Sequence, residues 1–202
     1  MRTWAAVFGV ILVASCRGGF VRVPDRALTG LPTEGRRWIF DAENAVVAAL
    51  DGVDIALEGV READEQRMRA ERSLRAAEQR RKSIGTDLGV VAARSRLTWA
   101  QLGQQLARER LELARDKVRK ARADLELDKA RLVVAYDLVA TRGFRLQPFE
   151  EQALAAARRV EARQRQVEAL ARKLQQQEEQ MQQAQRRYIA QTGDHDSGVW
   201  LD

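Results

Sequence analysis

The stretch LTWAQLGQQLARERLELARDKVRKARADLELDKARLVVAYDLV, residues 97–139, decides the fold of this chain. Within it, mostly apolar or small residues recur at alternating steps of three and four, with charged residues between them. This spacing is typical of a helix that packs one stripe against another helix, and it holds for about six heptads. The stripe consists of Leu97, Ala100, Gln104, Ala107, Leu111, Ala114, Val118, Ala121, Leu125, Asp128, Leu132, Ala135 and Val139. We therefore predict a long second helix over residues 88–140.

Similar stripes lie on both sides of this stretch. A third helix is predicted at residues 148–190, with a stripe of Ala153, Ala156, Val160, Arg163, Val167, Leu170, Leu174, Gln177, Met181, Ala184 and Tyr188. A first helix is predicted at residues 38–82, with a shorter stripe of Val46, Leu50, Val53, Leu57 and Val60. Gly85 suits the end of the first helix, Gly143 suits the end of the second, and Pro148 suits the first turn of the third.

The composition agrees with a helical chain. Charged residues make up 32% of the 202 residues, aromatic residues make up 5%, and there are only three prolines. No Val- and Ile-rich strand pattern follows residue 40. We therefore predict an all-α fold: an elongated antiparallel coiled-coil hairpin of the second and third helices, with the first helix packed along the start of the second as a partial three-helix bundle. Residues 191–202 are expected to form a flexible tail.

The hairpin also requires one register along its whole length. Facing positions of an antiparallel pair have residue numbers with a constant sum, and Leu132 with Val160 gives 292. The centre then falls near residue 146, inside the predicted turn. This register places Asp128, the one acidic stripe residue of the second helix, opposite Arg163, the one basic stripe residue of the third. We therefore predict that Asp128 and Arg163 form a pair that fixes the register.

Two aromatic residues flank the turn of this hairpin. Phe144 and Phe149 either fill the end of the bundle or form an exposed tip that contacts a partner. Both alternatives are open at this stage. Trp99 is interpreted as a residue of the bundle.

Residues 1–16 have the order of a secretory signal. Arg2 gives a positive start, and the uncharged stretch 3–15 is too short to span a bilayer, which needs about 20 residues.

After Cys16, residues 17–37 contain four glycines and two of the three prolines, Pro24 and Pro32. We therefore predict an extended tether over residues 16–37.

The end of the signal, Val13-Ala14-Ser15-Cys16, resembles the lipobox of bacterial lipoproteins, in which an aliphatic residue and two small residues precede the cysteine. The resemblance implies that residues 1–15 are removed as a signal peptide and that Cys16 is acylated and anchors the chain to a membrane. Arg17 stands where Asp would retain a lipoprotein on the inner membrane of enterobacteria-like systems. The resemblance thus implies the outer membrane, facing the periplasm.

Two alternatives to this interpretation are less satisfactory. An ordinary signal peptide with an incidental cysteine would leave a secreted protein with a lone free thiol, because Cys16 is the only cysteine in the chain. A cytosolic chain with an apolar N-terminal helix would leave the apolar residues of stretch 4–12 unexplained.

The sequence contains little that points to catalysis. The cluster Asp194-His195-Asp196 holds the only histidine and is interpreted as part of a polar tail rather than as a metal site. We find no glycine-rich phosphate loop and no Ser/His/Asp set. We therefore expect no enzyme activity, no metal or other cofactor and no small-molecule substrate.

Charge and shape indicate the class of partner. The net charge is +6, but Asp and Glu alternate with Arg along every predicted helix, which indicates solvated faces and argues against nucleic acid. Residues 97–189 resemble, in general shape, the hairpins of periplasmic adaptor proteins, whose tips dock on outer-membrane channels. The lipoyl-like and barrel domains of those adaptors have no counterpart here, and their tip motif is not found in residues 139–150.

These observations favour a membrane-anchored structural or protein-interaction component of the cell envelope. Its partner would be another envelope protein or a second copy of the chain. The alternative is a binder of anionic cell-wall polymer or lipid head groups through the basic helical surface.

Overall fold

The computed structural model describes residues 20–84, 87–138 and 144–193, without the side chains of 82–84. It contains a short 3-10 turn, Asp25–Leu28, and three long helices: α1 (Thr33–Ile84), α2 (Leu88–Ala135) and α3 (Gln147–Thr192). The described ranges contain no strand, and the predicted all-α fold is confirmed. The signal peptide of residues 1–15, Cys16 and the cluster Asp194-His195-Asp196 lie outside the described residues.

The helices begin and end where local chemistry favours it. Pro148 occupies the first turn of α3, where its missing N–H costs no hydrogen bond. Gly193 ends α3 in the left-handed conformation, at φ 65°, and its N–H donates to the carbonyl of Ile189. The second helix ends before Asp137, which has φ 49°, and so is shorter than the predicted range 88–140. The first helix starts earlier than predicted, at Thr33 rather than near residue 38.

The central element of the fold is α2. Both α1 and α3 pack antiparallel to it, while no Cα atom of α1 comes within 8 Å of one in α3 across the described chain. Gln104 of α2 donates a hydrogen bond to Asp64 of α1, and Glu109 of α2 accepts one from Arg163 of α3. Residues 104 and 109 are five apart, which is about 140° around a helix with 3.6 residues per turn. The three helices therefore form one layer with α2 in the middle.

The stripe that the sequence predicts on α2 exists, but it faces α1. Gln104 belongs to this stripe and bonds to α1. The third helix packs instead on a second stripe of α2, on the far side, formed by Leu106, Leu113, Ala123, Leu127 and Ala130. The stripe predicted on α3 is confirmed, because every one of its members is buried or partly buried.

The first helix follows α2 further than predicted. A methyl group added at Gly35, near the start of α1, would lie 3.3 Å from Cε2 of Tyr136, at the end of α2. The first helix thus runs along nearly the whole length of α2, rather than only beside its start. None of the helices within the described ranges has the length and apolar character needed to cross a bilayer.

Residues 20–31 form a strap that packs on the helices, so the predicted extended tether over residues 16–37 is wrong for its described part. Val23 and Leu31 are buried. Val23 belongs to the main apolar cluster, together with Ala123, Leu127, Ala130, Val133, Phe149 and Ala153. Within this docked segment, Pro24 precedes the 3-10 turn and Gly30 lies in the turn that follows it, whereas Gly35 lies inside α1.

Candidate interaction surface

The register of α2 and α3 is set by Arg163, but not with the predicted partner. Arg163 Nη1 lies 2.8 Å from Glu109 Oε2, and Arg163 Nε lies 3.5 Å from Asp116 Oδ2. Asp128 pairs instead with Arg131 on its own helix, at 3.7 Å. Since Asp128 and Asp116 are separated by about 18 Å of helix at 1.5 Å per residue, the predicted Asp128–Arg163 pair is wrong. The error arose because Asp128 lies on the stripe that faces α1.

The surroundings of Asp128 and Arg163 raise the pKa values of both side chains. Burial raises the pKa of Asp128, Arg131 offsets part of that rise, and nearby Asp124 adds to it. The hydrogen bond with Glu109 is the main cause that raises the pKa of Arg163. Acidic partners therefore stabilise the charged form of Arg163. For Asp128, the attraction of Arg131 does not fully offset the cost of burying the charged carboxylate.

Phe144 and Phe149 lie at the end of the helical layer where α3 begins. Their rings are stacked, with centroids 5.8 Å apart and an angle of 25° between the planes. Phe149 is only 5% exposed, and Phe144 packs against the same apolar cluster. The two residues therefore fill the end of the bundle, and the alternative of an exposed contact tip is not supported.

Two polar residues that the sequence analysis did not single out hold the strap in place. Glu126 Oε2 accepts a hydrogen bond of 2.7 Å from the backbone N–H of Val23, and Glu126 Oε1 receives one of 3.1 Å from Lys129 Nζ. Gln152 exchanges two hydrogen bonds with the backbone of Val21, accepting from its N–H at 2.7 Å and donating to its carbonyl at 3.2 Å. Their sequence context resembles that of any exposed Glu or Gln on a helix, so no signal marked them.

A groove lies on the opposite face of the layer from the strap. On α2, Lys117 lines the groove, whereas Glu126 binds the strap. The two residues are nine positions apart, which is about two and a half helical turns, so their side chains leave α2 on opposite sides. The groove has a volume of about 900 Å³. We call it the lateral groove; it is lined by Ala48, Ala49, Gly52, Ile55, Ala56, Glu58, Gly59, Glu62, Ala63 and Gln66 of α1, by Gly103, Leu106, Ala107, Arg110, Leu113, Ala114 and Lys117 of α2, and by Leu174 of α3.

Three glycines inside helices create much of the space in the lateral groove. A Cβ atom added at Gly52, Gly59 or Gly103 would meet nothing within 4 Å. Glycine in a helix interior costs about 1 kcal/mol of stability relative to alanine. Packing within the described chain therefore does not require these glycines, although each of them weakens its helix.

Large apolar side chains are exposed on both flanks of α1. Ile55, on its groove wall, is 75% exposed, and Val47, Leu50 and Leu57 are exposed on the other flank. Leu50 and Leu57 belong to the predicted α1 stripe, so that part of the stripe prediction is wrong; Val46, Val53 and Val60 are partly buried as predicted. Ile55 is the large exposed apolar side chain that the lateral groove itself presents.

Around the lateral groove, basic side chains lie on α2 and acidic side chains lie on α1. Arg110 and Lys117 line it from α2, and neither has an ion-pair partner among the described residues. Glu58 and Glu62 line it from α1, where Glu58 pairs with Arg61 at 3.2 Å. The described part of the chain holds no group of three His, Cys, Asp or Glu side chains placed to bind a metal ion.

The Arg163–Asp116 contact can be tested with a double-mutant cycle. Arg163→Met and Asp116→Asn should show a coupling of about 1 kcal/mol in the free energy of unfolding, since the two groups share a partly buried ion pair. The measurement is urea unfolding followed by circular dichroism. The matched cycle of Arg163→Met with Asp128→Asn should be additive. Coupling in the second cycle and none in the first would restore the register predicted from the sequence.

Asp128 should make stability depend on pH. The raised pKa in the folded chain means that the neutral carboxyl is favoured by folding. Its contribution is complete below the unfolded value of about 3.9 and is lost as pH rises through the raised folded value. Asp128→Asn should therefore raise the unfolding midpoint at pH 7, and the gain should shrink at pH values below the unfolded value. Asp54→Asn, on an exposed position of α1, is the control. A lower midpoint for Asp128→Asn at pH 7 would contradict the assignment.

The strap should detach when Glu126 is removed. Glu126→Ala leaves the buried N–H of Val23 without its acceptor, which costs about 1–3 kcal/mol. We expect faster tryptic cleavage after Arg22 and Arg26, measured by mass spectrometry of the N-terminal products. Glu112→Ala is the control, because Glu112, like Glu126, pairs with a basic side chain three residues further along α2, but no hydrogen bond joins it to the strap. Equal cleavage rates in the two variants would show that Glu126 does not hold the strap.

Comparisons with protein-family models, with curated proteins and with solved structures found no match to this chain. The chemistry of the lateral groove and of the strap is therefore the ground on which a function is proposed.

Proposed function

We propose that this chain is a membrane-anchored lipoprotein of the bacterial cell envelope that binds a protein partner and has no enzyme activity. In this proposal the lipid on Cys16 holds the chain on the outer membrane, facing the periplasm. The observation that carries the binding role is the lateral groove, with its unfilled glycines and the exposed side chain of Ile55.

The arrangement of the helices supports a binding role. Folded domains usually bury their apolar faces between two layers of secondary structure. Here α1, α2 and α3 form one layer, and the lateral groove face of α2 has no helix above it in the described chain. A partner that supplies a second layer would cover Ile55 and fill the space beside Gly52, Gly59 and Gly103.

The groove also indicates the chemistry of that partner. An amphipathic helix is the natural occupant of a long apolar groove between two helices. Small residues on the walls allow a close approach of its backbone, and Arg110 and Lys117 would pair with acidic residues beside its apolar stripe. The helix would come from another envelope protein or from a second copy of this chain.

The alternative function is the binding of anionic cell-wall polymer or lipid head groups. It is favoured by Arg110 and Lys117, which are free to bind an anion. Binding of that kind is mainly electrostatic and weakens strongly as salt is raised, because the Debye length falls from about 10 Å at 0.1 M to about 3 Å at 1 M salt. Capture of a helix in an apolar groove depends much less on salt.

Photocrosslinking in intact cells tests the proposal. A photoreactive residue at Ile55, in the lateral groove, should give a crosslink to a discrete protein, and one at exposed Val91, near the start of α2, is the control. Gly103→Leu should abolish the Ile55 crosslink without loss of helix content, because the free groove has room for the side chain.

Smaller changes separate the effects on binding and on stability. Gly103→Ala should raise the free energy of unfolding by about 0.5–1 kcal/mol, since alanine favours the helix and meets no neighbour. An unchanged crosslink in Gly103→Leu would count against the groove as the binding site. Crosslinks only to cell-wall material, lost in high salt, would favour the alternative. Labelled palmitate that enters Cys16→Ala as well as the parent chain would overturn the anchor.

A further inference from the structure

Three of the four exposed aromatic side chains among the described residues lie at one end of the layer. Trp38 is 63% exposed and Phe40 is 61% exposed, both in the first turns of α1. Tyr136, just beyond the end of α2, and Phe20, at the start of the strap, are exposed as well. In contrast, Tyr188 near the opposite end of the layer is buried. We call the region of Trp38, Phe40 and Tyr136 the aromatic end.

The strap runs toward this end, from Phe20 at the level of Ala123 to Leu31, which lies beside Gly35. Phe20 lies beside Ala123 of α2 and Gln152 of α3, and the hydrogen bonds of Val21 and Val23 fix the segment that follows it. The path from Cys16 to Phe20 is four residues long and spans at most about 14 Å when fully extended. The membrane plane must therefore lie within that distance of Phe20 if Cys16 carries the lipid.

The same distances set the depth of the aromatic end. Thirteen residues of helix from Ala123 to the level of Tyr136 extend about 20 Å. When the layer stands upright with the aromatic end toward the membrane, that end lies at least about 6 Å beyond Cys16. Amphipathic groups at membrane surfaces are buried by about 5–10 Å.

We infer that the aromatic end of the layer is inserted into the lipid headgroup region of the membrane, with Trp38 and Phe40 as the inserted side chains. The inference rests on the proposed lipid anchor at Cys16. Trp and Tyr are the residues that favour this region, because their rings are apolar and their N–H or O–H groups reach water. The acyl chains and the aromatic end then hold the protein at two points, which fixes the direction in which the layer projects.

The charges near the aromatic end indicate what kind of lipid surface fits. Among the described exposed residues there, Arg26, Arg36, Arg37 and Arg145 are matched in number by Asp25, Glu34, Asp41 and Asp137, so positive and negative groups are balanced. Attraction to anionic lipid therefore contributes little, and burial of aromatic rings must supply the affinity. We expect insertion into zwitterionic and anionic membranes alike.

Tryptophan fluorescence tests the inference on the acylated protein. The variant Trp99→Phe/Trp200→Phe leaves Trp38 as the only tryptophan of the processed chain. In phosphatidylcholine vesicles, its emission should shift to shorter wavelength and should be quenched by brominated lipid. Adding phosphatidylglycerol should leave both effects unchanged. The control adds Trp38→Phe and Val91→Trp, which moves the fluorophore to an exposed site near the opposite end of α2; its emission should remain accessible to aqueous iodide.

A second measurement uses the processed chain, beginning at residue 16, with Cys16→Ala, so that it carries neither lipid nor signal peptide. Its partition onto phosphatidylcholine vesicles should fall roughly tenfold or more when Trp38→Ser and Phe40→Ser are combined, since the variant removes two large apolar side chains from the bound surface. Both residues are exposed, so the double variant should keep its helix content and thermal midpoint.

The outcomes separate this inference from the proposed anchor. Palmitate incorporation at Cys16 with a Trp38 emission that brominated lipid does not quench would overturn the inserted end and leave the anchor intact. Absence of palmitate would overturn the anchor and the orientation derived from it. A crosslink between the aromatic end and another protein, with no quenching of Trp38 emission by brominated lipid, would also overturn the inference.

Discussion

The middle helix must bury two opposite faces at once, and the rest of the structure depends on this constraint. One face of α2 carries Gln104 and packs on α1, and the other carries Leu106 and Leu113 and packs on α3. Because these faces point away from each other, α1 and α3 cannot also pack together, and the helices form a single layer. The exposed apolar groups and the lateral groove follow from that layer, since a bundle in which all three helices met would have closed over one of its faces.

The same constraint explains which parts of the fold could be predicted from the sequence. The stripe on α3 was predicted correctly because α3 has one buried face, from Ala153 to Tyr188. On α2 the heptad pattern was real but was assigned to the wrong neighbour. A helix with two buried faces shows a regular pattern on each of them, and periodicity does not say which partner each stripe meets. Asp128 and Arg163 were therefore paired although they lie at different levels.

The candidate site was harder to predict for a different reason. The strap looked like a tether because its glycines and prolines disfavour helix and strand, yet Val23 is buried through a contact with Glu126, 103 residues away. The lateral groove depends on glycines. Their effect becomes apparent only in the structure, where Gly52 and Gly103 line the groove from facing helices. Local patterns locate helices, whereas docked segments and grooves arise from residues far apart in the chain.

The strap has a mechanical consequence. In the proposed anchored chain, a pull that a bound partner exerts passes between the helices and Cys16 through the strap. The bonds of Val21 to Gln152 and of Val23 to Glu126 connect this backbone to α3 and α2, so a pull along the helices loads them in parallel rather than one after another. Force then enters the layer at its middle and third helices, and α1, which follows the strap in the chain, receives it through its packing on α2 as well as through that backbone.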